Sequence, residues 1–205
     1  MATPNFDILH LRFARKIDDR VATAATDGVV YSILRRTDYL NQGSNFLQTS
    51  IYNMLGASAA GRVLQSIVSE QAINPFSSSG VSVATTYNNM PVELVKTGAT
   101  DTFRYVESKG DLDNVFTPFS YSAFTIQGGK LYAYQAGTIL NSGTGTFRFL
   151  KNDEGVQGTT DISISKQFWD AIVDMAISFA LTDNGRGEKA AIFLKRATDF
   201  ISTLK

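Results

Sequence analysis

The sequence predicts an α+β fold, an amphipathic helical bundle with a β-rich antiparallel region in its middle. Apolar residues recur at helical spacing near both ends of the chain, while short aromatic and β-branched runs bounded by glycine and polar turns fill the centre. The 205-residue length, with 43% hydrophobic and 19% charged residues, allows a substantial core and argues against a disordered, highly charged polymer.

The first helix is expected from Phe6 to about Ala25, because Phe6, Leu9, Phe13, Ile17, Val21 and Ala24 fall on one stripe and Asp27-Gly28 supplies a stop. Arg12, Arg15, Lys16, Asp19 and Arg20 lie on its other face, as a solvated surface or as subunit-contact charges. Thr37 is placed to cap a second helix whose buried side is Leu40, Leu47, Ile51 and Met54 or Leu55, ending at Gly56 and weakened internally by Gly43. A third helix is expected from Ala57 to Ala72, on Ala60, Val63, Leu64, Ile67 and Val68. Residues 1–72 thus form the N-terminal helical part of the bundle.

Residues 73–102 read as an extended loop or docking arm. Its Pro75, Phe76, Ser77, Ser78, Ser79 and Gly80 form a candidate interaction loop within an open stretch from Ile73 to about Tyr87. A small antiparallel β region, residues 103–160, follows, with strands at Phe103–Glu107, Tyr121–Gln127, Lys130–Gln135 and Gly145–Leu150. Gly128-Gly129 is a two-residue hairpin turn, since both central positions of a type I′ turn need positive φ. Residues 161–205 complete the bundle with a helical hairpin. Ser165 caps its first helix, Ile164 and Trp169 staple that cap, and Ile164, Phe168, Ile172, Met175 and Phe179 make the stripe. After Asn184-Gly185, a second stripe runs through Ala190, Phe193, Leu194, Ala197, Phe200, Ile201 and Leu204.

No residue pattern points to catalysis, a metal or a cofactor. Nineteen basic residues balance nineteen acidic ones, which disfavours a nonspecific phosphate-binding surface, and the lack of cysteine removes disulfides and thiolate chemistry. The lone histidine, His10, has no second histidine to join it at a metal and reads as a surface or internally satisfied helical residue. Carboxylates pair at Asp18-Asp19, Asp111/Asp113 and Asp153-Glu154, which leaves open a glycan hydrolase working through two carboxylates. Asp111 and Asp113 resemble part of a calcium loop without its later glycine and final glutamate, so a solvated turn is the simpler reading. Gly143-Thr144-Gly145 precedes a strand instead of opening a helix, and no Walker lysine motif occurs. Tyr121, Phe124, Tyr132, Tyr134, Phe147 and Phe149 are read as sheet packing rather than base stacking, since basic charge does not accompany them. The N-terminus lacks the apolar segment of a secretory signal, and no apolar run is long enough to span a bilayer.

Three segments in order carry a resemblance. The first helix is followed by Asp38-Tyr39-Leu40-Asn41-Gln42-Gly43; a hairpin is written in Phe124-Thr125-Ile126-Gln127-Gly128-Gly129-Lys130-Leu131-Tyr132-Ala133-Tyr134; and Phe168-Trp169-Asp170-Ala171-Ile172-Val173-Asp174-Met175-Ala176 precedes Ala190-Ala191-Ile192-Phe193-Leu194. Together they resemble the head-to-tail adaptor (connector) proteins of tailed bacteriophages. The resemblance implies a structural virion protein and no enzyme: a ring of about twelve copies, closed by heterologous side-to-side contacts. It would sit at the head-tail junction after assembly in the host cytoplasm, with the portal protein on one face and further tail or neck proteins on the other. DNA would pass its channel without specific binding, and no membrane is involved. Another phage neck or tail ring protein is the neighbouring reading. Adaptors commonly insert a C-terminal tail into the portal, whereas this sequence stops at Lys205 just after its last helix. The Ile73–Tyr87 loop or the end of that helix is therefore expected to supply contacts.

Overall fold

A computed structural model describes residues 5–19, 27–28, 30–83, 90–99, 102–107, 122–151 and 164–204. The helices are α1 (Asn5–Lys16), α2 (Ile33–Leu55), α3 (Ala57–Val63), α4 (Trp169–Asp183) and α5 (Gly187–Ser202). Two compact units divide the chain: Met1–Met54 with Asp153–Lys205, and Leu55–Asn152. The first is helical, the second mainly β, and the protein is α+β.

In the helical unit α4 is the central element. Every residue from Ala171 to Ser178 is buried, as expected of a helix that is apolar around most of its circumference. Leu9, Phe13 and Ala14 of α1 and Leu40, Leu47 and Ile51 of α2 are fully buried, and Ala190, Ala197 and Ile201 give α5 its inward stripe. Phe13 meets Tyr31 edge-on at 5.7 Å, and Phe168 meets Phe200 at 5.9 Å. Gly43 has a role that its helix propensity hides. A methyl group there would lie 2.6 Å from the carbonyl oxygen of Ile172, so the missing side chain lets α2 approach the α4 backbone.

Helix ends differ from the sequence expectation where polar side chains find long-range partners. α1 stops at Lys16 instead of continuing to Ala25; Asp18 takes φ 57°, and Asp19 turns inward to accept the amides of Val30 (3.0 Å) and Tyr31 (3.2 Å). Arg20, Val21 and Ala24 lie outside the described residues. Thr37 is not the cap of α2, which begins a turn earlier. Asp27 accepts the Ile33 amide at 2.8 Å and Ser32 the Arg35 amide at 3.3 Å, while Thr37 donates to the Ile33 carbonyl inside the helix. Ser165 likewise makes no side-chain cap. A 3₁₀ turn at Lys166–Phe168 leads into α4, and Trp169 Nε1 donates to the Ile164 carbonyl at 3.1 Å, with both residues buried. Gly56 (φ 76°) ends α2, and Gly185 (φ 69°) follows α4.

The β unit contains β1 (Val68–Ile73), β2 (Val81–Ser82), β3 (Met90–Lys96), β4 (Thr102–Tyr105), β5 (Ser122–Gln127), β6 (Lys130–Gln135), β7 (Thr138–Ile139) and β8 (Gly145–Leu150). Their order is β1-β8-β3-β4-β5-β6-β2, with β7 beside β6. The sheet is mixed, correcting the antiparallel expectation, because β4 and β5 run parallel through Arg104↔Ala123 and Tyr105↔Phe124. The predicted hairpin is present. Gly128 and Gly129 have φ 56° and 75°, and β5 pairs β6 through Gln127↔Lys130.

Two expectations fail here for one reason. The third helix covers only Ala57–Val63; after a 3₁₀ turn at Gln65–Ile67 the chain becomes strand β1, paired to β8 from Val68↔Leu150 to Ile73↔Gly145. The open stretch from Ile73 is largely ordered as far as Val83, residues 84–89 being outside the described set. Ile73 and Phe76 are buried in a core with Val83, Leu94, Phe103, Phe124, Leu131, Ala133, Phe147 and Phe149. Pairing and burial against distant strands override a local pattern that is compatible with helix or loop.

Candidate functional site

The charges that sequence places on the outer face of α1 have mostly internal partners. Arg12 pairs with Asp170 of α4 at 3.0 Å, and Lys16 with Asp174 at 2.7 Å, so two successive turns of α1 are tied to two successive turns of α4. Asp19 is buried, which corrects its assignment as a subunit-contact charge; Arg15 is exposed and Arg20 lies outside the described residues. The same inward turn accounts for Gly28, where an added methyl would lie 2.0 Å from Asp19 Oδ2.

His10 is fully buried, with Nε2 3.4 Å from Thr37 Oγ1. Burial foremost, and the Arg36 charge second, lower its pKa to about 4, so the imidazole is neutral at pH 7. Arg36 is also fully buried; desolvation lowers its pKa while the Asp19 and Asp27 carboxylates oppose that shift. Buried position and a depressed pKa can mark a catalytic base. Here they accompany the seam between α1 and α2, and among the described residues no cluster of three or more histidine or carboxylate groups could hold a metal ion.

The outward side of α2 has a different character. From Tyr39 to Leu55 the helix contains no Asp, Glu, Lys or Arg, yet Gln42, Phe46, Thr49 and Asn53 face solvent. Phe46 is 42% exposed and packs edge-on against Phe179 at 5.7 Å; Val30 and Leu34, at and just after the entrance to α2, are 63% and 68% exposed. A solvated helix face normally carries charge, whereas charge depletion with exposed aromatic and aliphatic groups is the composition of an interface centre. Sequence reading concentrated on the charges of α1 and missed this face, although the uncharged run is visible in the sequence.

Within the candidate loop Pro75-Phe76-Ser77-Ser78-Ser79-Gly80, Phe76 is 1% exposed and is a core residue of the β unit. That corrects the idea of a free arm. Ser77 and Ser79 hydroxyls meet at 2.8 Å, Gly80 has φ 78°, and Ser78 and Ser79 are the outward residues of the turn. Phe124, Phe147 and Phe149 are buried together and form sheet core.

The β unit also holds a cleft of about 750 Å³ between α3 and the outer surface of the sheet, lined by Ser58, Arg62, Gln65, Glu70, Glu93 and Arg148 among others. Glu70, Arg148 and Glu93 are cross-strand neighbours on β1, β8 and β3. Arg148 donates through Nε to Glu70 and through Nη1 to Glu93, each at 2.7 Å. These bonds, Glu93's first and Glu70's second, raise the arginine pKa. Both carboxylates are thus bonded to one guanidinium. Of the carboxylate pairs noted in sequence, Asp111/Asp113 and Asp153-Glu154 lie outside the described residues, and Asp18 and Asp19 point to different environments, one exposed and one buried. Among the described residues no helix is long and apolar enough to cross a membrane. No family model matches the chain, and no curated protein matches it.

Proposed function

We propose that this protein is a structural subunit of a head-to-tail adaptor ring beneath the portal of a tailed bacteriophage. The observation that carries the reading is the order of elements. A helical body is drawn from the two ends of the chain, and a β unit occupies the sequence between them. The three segments behind the resemblance fall on α2, the β5–β6 hairpin and the α4–α5 hairpin.

Supporting it is the uncharged, partly apolar outer face of α2, which suits repeated contact with a neighbour better than permanent exposure to water. In a ring each weak contact is repeated, and a preformed portal would make successive contacts cooperative through effective concentration. Zero net charge suits a channel through which DNA passes without being held by counterion release. The work of such a subunit is geometric: it matches the portal on one side and tail or neck proteins on the other.

Electron microscopy and mass determination of the purified chain, alone and mixed with candidate portal rings, test the proposal. Ring-shaped decoration at fixed stoichiometry is the expected outcome. Failure to bind any portal, with hydrolysis of cell-wall glycan that disappears on changing a single carboxylate, would replace it with the enzyme reading.

A further inference from the structure

We propose that the cleft between α3 and the outer surface of the sheet binds a small amphoteric molecule, with its carboxylate on Arg62 and its ammonium group on Glu70 and Glu93. The inference rests on the β unit alone and does not depend on the ring assignment.

Strand alternation builds the floor of the cleft. Phe147 and Phe149 of β8 are buried in the core, so Arg148 between them projects from the opposite surface. Pairing of β8 with β1 and β3 sets Glu70 and Glu93 beside it, and the three side chains line the cleft. Arg148 donates to Oε1 of each glutamate, and Oε2 of each has no donor among the described residues. Two carboxylates against one guanidinium leave the floor with net negative charge and with acceptor oxygens to spare.

The wall carries the opposite charge. Ser58 and Arg62 share one face of α3, and Gln65 opens the 3₁₀ turn that follows. All three line the cleft and are exposed. Among the described residues Arg62 makes no ion pair, and none of the three side chains makes a hydrogen bond. The wall is held in place by close packing of α3 on β3, where a methyl group on Gly61 would lie 2.3 Å from Val92 Cγ1. Arg62 thus faces the glutamates across the cleft without pairing to them. A ligand with only an anionic group would satisfy the wall and be repelled by the floor, and a purely cationic one would do the reverse. A molecule carrying both charges meets both surfaces, and a cleft of about 750 Å³ lies within the range that small molecules fill.

The test uses the full isotope-labelled chain, with ε-aminocaproate and γ-aminobutyrate as probes and caproate and hexylamine as single-charge counterparts. Binding is read from the chemical shifts of the Arg62 and Arg148 Nε–H groups and of the α3 amides. At least one of the amino acids is expected to shift both arginine resonances saturably in the millimolar range. Caproate and hexylamine should each bind roughly three- to fivefold more weakly. Arg62→Gln should lower the amino acid's affinity to that of hexylamine, and Glu70→Gln should lower it to that of caproate. Both positions are exposed, so the amide spectra of the variants should be unchanged outside the cleft. The absence of saturable shifts with either amino acid would overturn the proposal. So would caproate binding as tightly as ε-aminocaproate, or an affinity unaltered by Arg62→Gln.

Discussion

Gly43 shows how one atom's environment reverses a sequence argument. Helix propensity alone says that Gly43→Ala should stabilise α2 by about 1 kcal/mol. The new methyl would meet the Ile172 carbonyl at 2.6 Å, and backbone cannot yield as a flexible side-chain tip can. Overpacking costs about 1–3 kcal/mol, so the net change is expected to be destabilising; urea denaturation of G43A checks the sign. Asp19 gives the second residue-scale prediction. Asp19→Ala leaves the Val30 and Tyr31 amides without their acceptor and should cost about 1–3 kcal/mol, read from the same denaturation midpoint. That role was not legible in the sequence, where Asp19 sits with Arg12, Arg15 and Lys16 at positions that look uniformly solvated. Its partners stand 11 and 12 residues away, beyond any helical period.

At the scale of elements, the α1–α2 seam should respond to acid. His10 has a folded pKa of about 4, below its ordinary 6.5. The unfolded chain therefore binds the proton first, and the contribution to stability is complete above pH 6.5 and is lost as pH falls toward 4. A shift of this size corresponds to on the order of 3 kcal/mol, and H10Q should lack that part of the pH dependence when denaturation midpoints are compared between pH 7 and 4. The α1–α4 ion pairs should differ from one another. Lys16–Asp174 joins side chains 30% and 10% exposed, Arg12–Asp170 ones 40% and 69% exposed. Double-mutant cycles should give the first the larger coupling and the second only about 0–1 kcal/mol. In the β unit Phe76→Ala should cost about 3–5 kcal/mol, as a core aromatic would, whereas changing Ser78 should alter stability little. Deleting residues 76–81 would remove that core aromatic with the turn, so substitution of Ser78 and Ser79 is the cleaner probe of a docking role. The β5–β6 hairpin and the α4–α5 hairpin were legible because their signals are local: two glycines where positive φ is needed, and stripes at unbroken helical spacing. β1 and β3 were not, because Val68–Ile73 continues an apolar helical spacing and Met90–Lys96 has a proline at its second position, so pairing with β8 and not local pattern decides both.

For the whole molecule, the ring proposal makes assembly, and not chemistry, the expected observable. Charge introduced on the uncharged face of α2, as in Phe46→Glu or Thr49→Lys, should leave folding intact by circular dichroism and weaken decoration of a portal ring. Substitution of the exposed Lys195 should change neither folding nor decoration. Unchanged decoration by both α2 variants would move the subunit contact elsewhere while leaving the ring reading standing. The α2 face was present in the sequence as a run without charge, but only its exposure makes it an interface candidate, since the same run could have been core. The charged row across β1, β8 and β3 was beyond sequence reading altogether. It exists because those strands lie side by side, and 78 positions separate Glu70 from Arg148.

The sequence by itself determined the α+β class, the helices at both ends, the glycine hairpin and the limits on cysteine and histidine chemistry. Each depends on local periodicity, turn stereochemistry or composition. Tertiary structure alone decided that Val68–Ile73 is strand, that Phe76 is core, that Asp19 faces inward and that Glu70, Arg148 and Glu93 form an alternating row of charges across three strands. The physical reason is common to all four: each is set by a partner distant in sequence, and hydrogen bonds, burial and charge pairing with that partner outweigh local preferences worth less than about 1 kcal/mol per residue.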